Sequence, residues 1–163
     1  MTGRRVLFPG GLPGSFLFIP AGSHRFRRVV WWRWKEVSVV RRGDVEGFPI
    51  AKGVMGRVLL SGERLMLLLV EIEAGGVVPE HSHPHEQMGL CLKGRAEFTA
   101  EGEAVLVEAG SAYHFPPGER HGVRVVGGEA GLFLDVFSPP REDYLKRSQE
   151  AVEVGRGATV RGA

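Results

Sequence analysis

From Val54 onward, short runs of aliphatic and β-branched residues recur at intervals of roughly 8–12 residues, parted by Gly, Pro or charged pairs. The runs predict strands at Met55–Leu60, Leu65–Glu73, Gln87–Leu92, Ala96–Ala100, Ala104–Val107, Ser111–Phe115, Gly122–Val126 and Leu132–Phe137. Short strands at even spacing with turn residues between them predict an all-β sandwich or barrel. No helical periodicity precedes Arg141. There REDYLKRSQEAVEV predicts one short C-terminal helix, after Pro139-Pro140 end the last strand. The final GRGATVRGA reads as a disordered end.

The first 42 residues follow no such pattern. Pro9, Gly10, Gly11, Pro13 and Gly14 prevent a helix or strand from running far. They also break the apolar stretch that a signal peptide needs, although Arg4-Arg5 has the form of a twin-arginine pair. The plainer reading is a basic tail, or residues read from an upstream start codon. Within it, VVWWRWKEV is expected to supply an edge strand or a tryptophan packed on the barrel. The predicted organisation is an extension at 1–42, a barrel at 43–140, and a helix with a tail at 141–163.

Charge divides at the same place. Residues 1–42 hold nine Arg or Lys and one acid, Glu36, whereas residues 43–163 hold twelve bases and eighteen acids. The body is therefore mildly acidic, which argues against a nucleic-acid footprint on it. Cys91 is the only cysteine, so no intrachain disulfide forms. The longest apolar run, Leu65 to Val70, is too short to span a bilayer. These features together predict a cytoplasmic protein.

Two stretches carry chemistry. In GGVVPEHSHPHEQMGLCLKG (75–94), residues two apart on an extended strand point the same way, so His81 and His83 share a face. Two imidazoles on one face are half a metal site. Gln87 continues that parity if the strand stays regular. With Pro84 between them, parity alone leaves His85 and Gln87 both open. In GSAYHFPPGERHGVRV (110–125), a Pro-Pro-Gly turn presents His121 at the start of a strand. His24 and His114 read as solvated surface residues.

These two stretches resemble the two motifs of the cupin superfamily. Gly75, His81, His83, Gln87 and Gly94 stand at the spacings of the first; Gly110, Pro116, Gly118 and His121 match the second. Fifteen residues separate Gly94 from Gly110, and the likeness covers about residues 53–140. The resemblance implies a double-stranded β-helix (jelly-roll) barrel with one divalent transition metal, nickel, zinc, iron or manganese, on His81, His83, Gln87 and His121. Gln87 stands where the family's usual carboxylate would be, and Val125 where an asparagine is frequent. Three imidazoles and an amide are neutral, so the ion would keep its full charge as a stronger Lewis acid. An anionic small-molecule ligand would suit such a site.

A narrower likeness joins HSHPHEQ to DVFSPPREDYL (135–145), which resembles the pectin-degradation cupins that ketonise unsaturated uronates. It implies a pocket lined by Asp135, Phe137 and Arg141, with Asp135 as the proton-transfer group, Arg141 as the carboxylate anchor and Phe137 in contact with substrate. Asp135 in the apolar run LFLDVF also needs a polar cavity or a partner on physical grounds. Gly89 is small where a polar lining side chain is expected. Three functions compete: a metal-dependent isomerase or tautomerase of small acidic sugars or keto-acids, a non-catalytic ligand- or metal-binding module, and an iron dioxygenase. The amide ligand argues against the last, whose iron sites usually include a carboxylate. Finally, Met88, Leu90 and Leu92 make the second face of the Gln87–Leu92 strand apolar as well. Its cover would be either the barrel's other sheet or a second subunit, and a homodimer is expected.

Overall fold

The computed structural model describes residues 38–160. The expectations for the basic extension, including those for Trp31, Trp32 and Trp34, lie outside the described residues. A short 3-10 turn at Arg42–Asp44 leads into ten strands: β1 (Phe48–Ala51), β2 (Val54–Ser61), β3 (Met66–Ile72), β4 (Val77–His81), β5 (Glu86–Lys93), β6 (Arg95–Ala100), β7 (Glu103–Glu108), β8 (Ala112–Phe115), β9 (His121–Val126) and β10 (Gly131–Ser138). One helix, α1 (Glu142–Val160), follows. The strands form a six-stranded sheet in the order β1-β2-β3-β10-β5-β8 and a four-stranded sheet in the order β4-β9-β6-β7, antiparallel throughout.

The period-two alternation explains the core. Met66, Leu68, Val70 and Ile72 of β3 and Phe133 and Phe137 of β10 point inward, where they meet Ala96, Phe98 and Val125 of the facing sheet. All eight strands read from the pattern are present. The two that the pattern missed, β1 and β4, both contain a proline, Pro49 and Pro79. Proline breaks a strand signature, but both are edge strands, where a missing N–H need not interrupt a ladder.

Two expectations are corrected. No regular strand runs from His81 to Gln87: β4 ends at His81 and β5 begins at Glu86, with an irregular connection around Pro84 between them. His81 and His83 are therefore not brought to one face by strand parity. The helix also continues to Val160, into the stretch expected to be disordered. Glycine weakens a helix by about 1 kcal/mol per residue but leaves the hydrogen-bond ladder intact, and no proline follows Pro140 to interrupt it.

Helix α1 is fastened to the barrel end by Tyr144, whose ring lies 5.6 Å from that of Phe48 and 6.1 Å from that of Phe137. On the opposite side of the six-stranded sheet, Met88, Leu90 and Leu92 are 50%, 37% and 43% exposed. They turn away from the four-stranded sheet, so the barrel itself does not cover them. They continue an outward row through Leu134 and Val136 on the neighbouring strand, paired with Leu90 and Met88 respectively.

Phe48 is only 2% exposed and meets Tyr144. Phe48→Ala is expected to destabilise the protein by about 3 kcal/mol or more, read as a lower denaturation midpoint. A midpoint unchanged from that of the parent protein would show that α1 is held by other contacts.

Candidate metal centre

The histidines meet where the two sheets close together. His81, the last residue of β4, is paired directly with His121, the first of β9. A cross-strand pair puts both side chains on the same face at short range, and their ring centroids are 4.6 Å apart. His83 arrives from the connection that follows β4. That connection is tied to the Pro-Pro-Gly turn by Gly118, whose backbone N–H donates to the His83 carbonyl over 2.8 Å. Gly118 has φ +83°, a left-handed conformation that favours glycine. Gln87 comes from the other sheet, at the start of β5. The two sequence motifs thus converge by hydrogen bonding between loops and by pairing between strands.

The ligand-bearing nitrogens of His81, His83 and His121 lie within 4.8 Å of one another. In each of the three, Nδ1 lies at hydrogen-bond distance from a backbone carbonyl: Pro79 at 3.0 Å, His85 at 3.1 Å and Glu119 at 2.9 Å. A carbonyl can only accept, so each Nδ1 carries a proton and Nε2 is the nitrogen left to face a cation. Burial lowers the pKa of both His83 and His121. For His83, burial and then the charge of Arg141 push it down to about 4, so it is neutral near pH 7.

Two observations test whether a cation fits. The Nε2 of His121 is buried without a hydrogen-bond partner. The Nε2 of His83 stands 3.0 Å from Oε1 of Gln87. The orientation of that amide is set by its other end, where Gln87 Nε2 donates to Asp135 Oδ1 over 3.0 Å. Two acceptors therefore face each other, and a third has no donor, all on one side of the cluster. A divalent cation satisfies all of them at once, so the residues fit such an ion. His85 is not part of this arrangement. Its carbonyl orients His83, while its side chain lines a separate depression with Glu63, Pro140 and Asp143. His114 is on the outer surface, 3.1 Å from Glu86.

Asp135 is buried at 6% exposure beside the cluster. Burial pushes its pKa up to about 6, against the lowering pull of its hydrogen bonds from Tyr113 and Gln87 and of the Arg141 charge. Asp135 shares one cavity with His81, Gln87, His121, Phe137 and Arg141. Arg141 lies just before α1. It forms a two-pronged pair with Asp143, Nε to Oδ1 at 3.1 Å and Nη2 to Oδ2 at 2.8 Å. Its guanidinium stacks 3.8 Å from the Tyr144 ring centroid. Phe137 is 2% exposed and sets its ring edge against His83 at 5.6 Å.

Tyr113 is the residue that the sequence reading missed. Its hydroxyl donates to Asp135 Oδ1 over 2.6 Å. Burial raises its pKa, so it stays protonated. The available signal was Gly89, because a glycine inside a strand often marks the close approach of another group.

Residues 68–137 match the Cupin domain family. The chain is 31% identical over 97 residues to the pectin degradation protein KdgF of Dickeya dadantii (strain 3937), which covers 59% of this chain and 87% of that protein. It is 36% identical over 72 residues to the H2HPP isomerase of Bacillus subtilis, covering 44% of this chain but only 30% of that protein. Among solved structures, KdgF from Halomonas sp. superposes with a TM-score of 0.62 at 27% identity, over 66% of this chain and 98% of its own. The polyketide cyclase RemF from Streptomyces resistomycificus gives 0.59 at 28%, over 65% and 82%.

Elemental analysis of the purified protein is expected to find about one divalent transition ion per chain, at ~2.0–2.2 Å from the histidine nitrogens in a crystal structure. His81→Ala and His121→Ala are each expected to lose it. Full metal content in both variants would rule out this cluster as the site.

Proposed function

The chain belongs to the cupin family, and from that premise we propose that it is a metal-dependent isomerase or tautomerase of small acidic sugars or keto-acids, with unsaturated uronates as the leading substrates. Its ligands for the metal are His81, His83, Gln87 and His121. The observation that carries the reading is the single cavity shared by His81, Gln87 and His121 with Asp135 and Arg141. The likeness to a pectin degradation protein over 87% of that protein's length supports it.

A divalent ion held there would supply Lewis acidity, drawing electron density from a substrate hydroxyl or carbonyl oxygen. Asp135 moves the proton. A carboxyl group with a pKa pushed up to about 6 can take and return a proton near neutral pH. Ketonisation of a cyclic unsaturated uronate is an isomerisation: a hydroxyl loses its proton and becomes a carbonyl as the ring C–O bond opens, the freed enol oxygen becomes the ketone as carbon gains a proton, and no co-reactant is consumed. Arg141 anchors the substrate carboxylate. Its Nη2 and Nε are given to Asp143, and Nη1 makes no hydrogen bond among the described residues. Stacking on Tyr144 fixes the plane of the fork. Phe137 forms an apolar wall beside both groups and excludes water from the proton transfer.

A binding module requires no proton-transfer group, and the buried Asp135 in the cavity weighs against it. The all-neutral donor set favours an anionic ligand and weighs against the oxygenase reading. We further propose that the row of Met88, Leu90, Leu92, Leu134 and Val136 is covered by a second copy of the chain in a homodimer. Among the described residues no helix is long and apolar enough to cross a membrane.

Turnover of unsaturated uronates and related keto-acids, followed by NMR, tests the activity. Asp135→Asn is expected to lower kcat on the order of 100-fold or more with metal retained. Arg141→Ala is expected mainly to raise KM. Full activity with full metal in both variants would move the binding-module reading ahead. Light scattering at micromolar concentration should give twice the chain mass, and Leu90→Asp should give a monomer. A monomeric parent protein would contradict the dimer.

A further inference from the structure

Tyr113 has no part in the roles described so far, yet it makes the shorter of the two hydrogen bonds to Asp135, 2.6 Å against 3.0 Å from Gln87. We infer that Tyr113 is a positioning residue for Asp135: its hydroxyl pins one carboxylate oxygen so that the other is presented to the cavity, and Gly89 exists to let it do so. The inference rests on the proton-transfer reading of Asp135 given above.

The strand register explains the pairing. Asp135 of β10 stands opposite Gly89 of β5, and Gly89 stands opposite Tyr113 of β8. Tyr113 and Asp135 are thus two strands apart, about 10 Å between backbones. A short carboxylate cannot cross that gap, so the tyrosine must lie across the strand between them. Any side chain at Gly89 would block it, because a Cβ there would fall 2.2 Å from the Tyr113 ring. The ring is fixed in turn by Phe98, edge-on with centroids 4.6 Å apart, and by Phe115 at 5.8 Å.

The bond geometry sets the orientation. Gln87 on β5, the strand next to Asp135, and Tyr113 on β8, one strand further, both donate to Oδ1. Two donors converging on one oxygen fix the plane of the carboxylate. Oδ2 accepts no hydrogen bond among the described residues, and Asp135 lines the cavity. The carboxylate therefore offers one free oxygen in a fixed direction, the arrangement that a proton-transfer group needs. Were Tyr113 there only to satisfy a buried charge, its loss would lower stability and leave the kinetic contribution of Asp135 untouched.

Tyr113→Phe keeps the ring and its packing and removes only the O–H. In the metal-loaded protein it is expected to lower kcat about tenfold, the worth of one hydrogen bond to a charged group, with KM and metal content unchanged. In an Asp135→Asn background the same substitution should change kcat by less than about twofold. Gly89→Ala, which displaces the ring without removing a polar group, should reproduce the tenfold loss. A second readout needs no substrate: in protein labelled with carboxyl-¹³C aspartate, the Asp135 signal, identified by its absence in Asp135→Asn, should shift in Tyr113→Phe. An unmoved Asp135 signal, or an equal loss of kcat in both backgrounds, overturns the inference. A parent protein that turns over no acidic sugar or keto-acid overturns the proposed reaction and any kinetic role of Tyr113 with it, whereas the carboxyl signal still reports whether Tyr113 fixes Asp135.

Discussion

A neutral imidazole has one nitrogen that donates and one that accepts, and the arrangement of this barrel follows from which is which. His81, His83 and His121 each direct Nδ1 to a backbone carbonyl of a neighbouring residue, two positions away along the chain. The lone pairs are thereby turned to one side, together with the amide oxygen of Gln87. Buried lone pairs without donors are costly, and His121 has such an atom. A cation placed among them would relieve that cost, so the same network that orients the rings also favours binding an ion. Partners of this kind, one step out from the ligands, commonly decide metal affinity.

The chemistry proposed for the site depends on a second polar chain lying alongside the first. Gln87 joins the two, with its oxygen toward His83 and its nitrogen toward Asp135. The amide could not serve both neighbours if it were turned round, because its oxygen would then face a carboxylate. A carboxylate in place of Gln87 would likewise confront Asp135 with a second negative charge at hydrogen-bond distance. This gives a physical reason for an amide at that position in a barrel that also buries Asp135.

The barrel walls make this polar arrangement possible. Phe115 stacks on His121 with centroids 4.1 Å apart, Phe137 meets His83 edge-on, and Phe98 meets Tyr113. These rings shield part of the network from water, and hydrogen bonds in such surroundings are stronger and more costly to leave unmade. The same burial raises the Asp135 pKa and lowers that of His83, so the enclosing core tunes both groups in the directions that suit their proposed roles.

Much of this was legible in the sequence. Short aliphatic and β-branched runs at intervals of roughly 8–12 residues, parted by turn residues, pointed to eight strands and the all-β class, because such residues favour a pleated, half-buried surface. The spacing of Gly75, His81, His83, Gln87 and Gly94, and of Gly110, Pro116, Gly118 and His121, pointed to the cluster. The lone acid of LFLDVF marked Asp135 as a residue with a partner to find. Strands β1 and β4 were hidden by Pro49 and Pro79, because local propensity carries no information about which strands lie at an edge. The convergence of His83 with His81 came from a loop held by Gly118, not from the strand parity that seemed to explain it. Tyr113 and Asp135 are 22 residues apart in the chain, and they meet only because β8, β5 and β10 are neighbours in register with a glycine between them. Sequence named the candidate residues apart from Tyr113; strand order and register, which depend on long-range pairing, decided which of them touch.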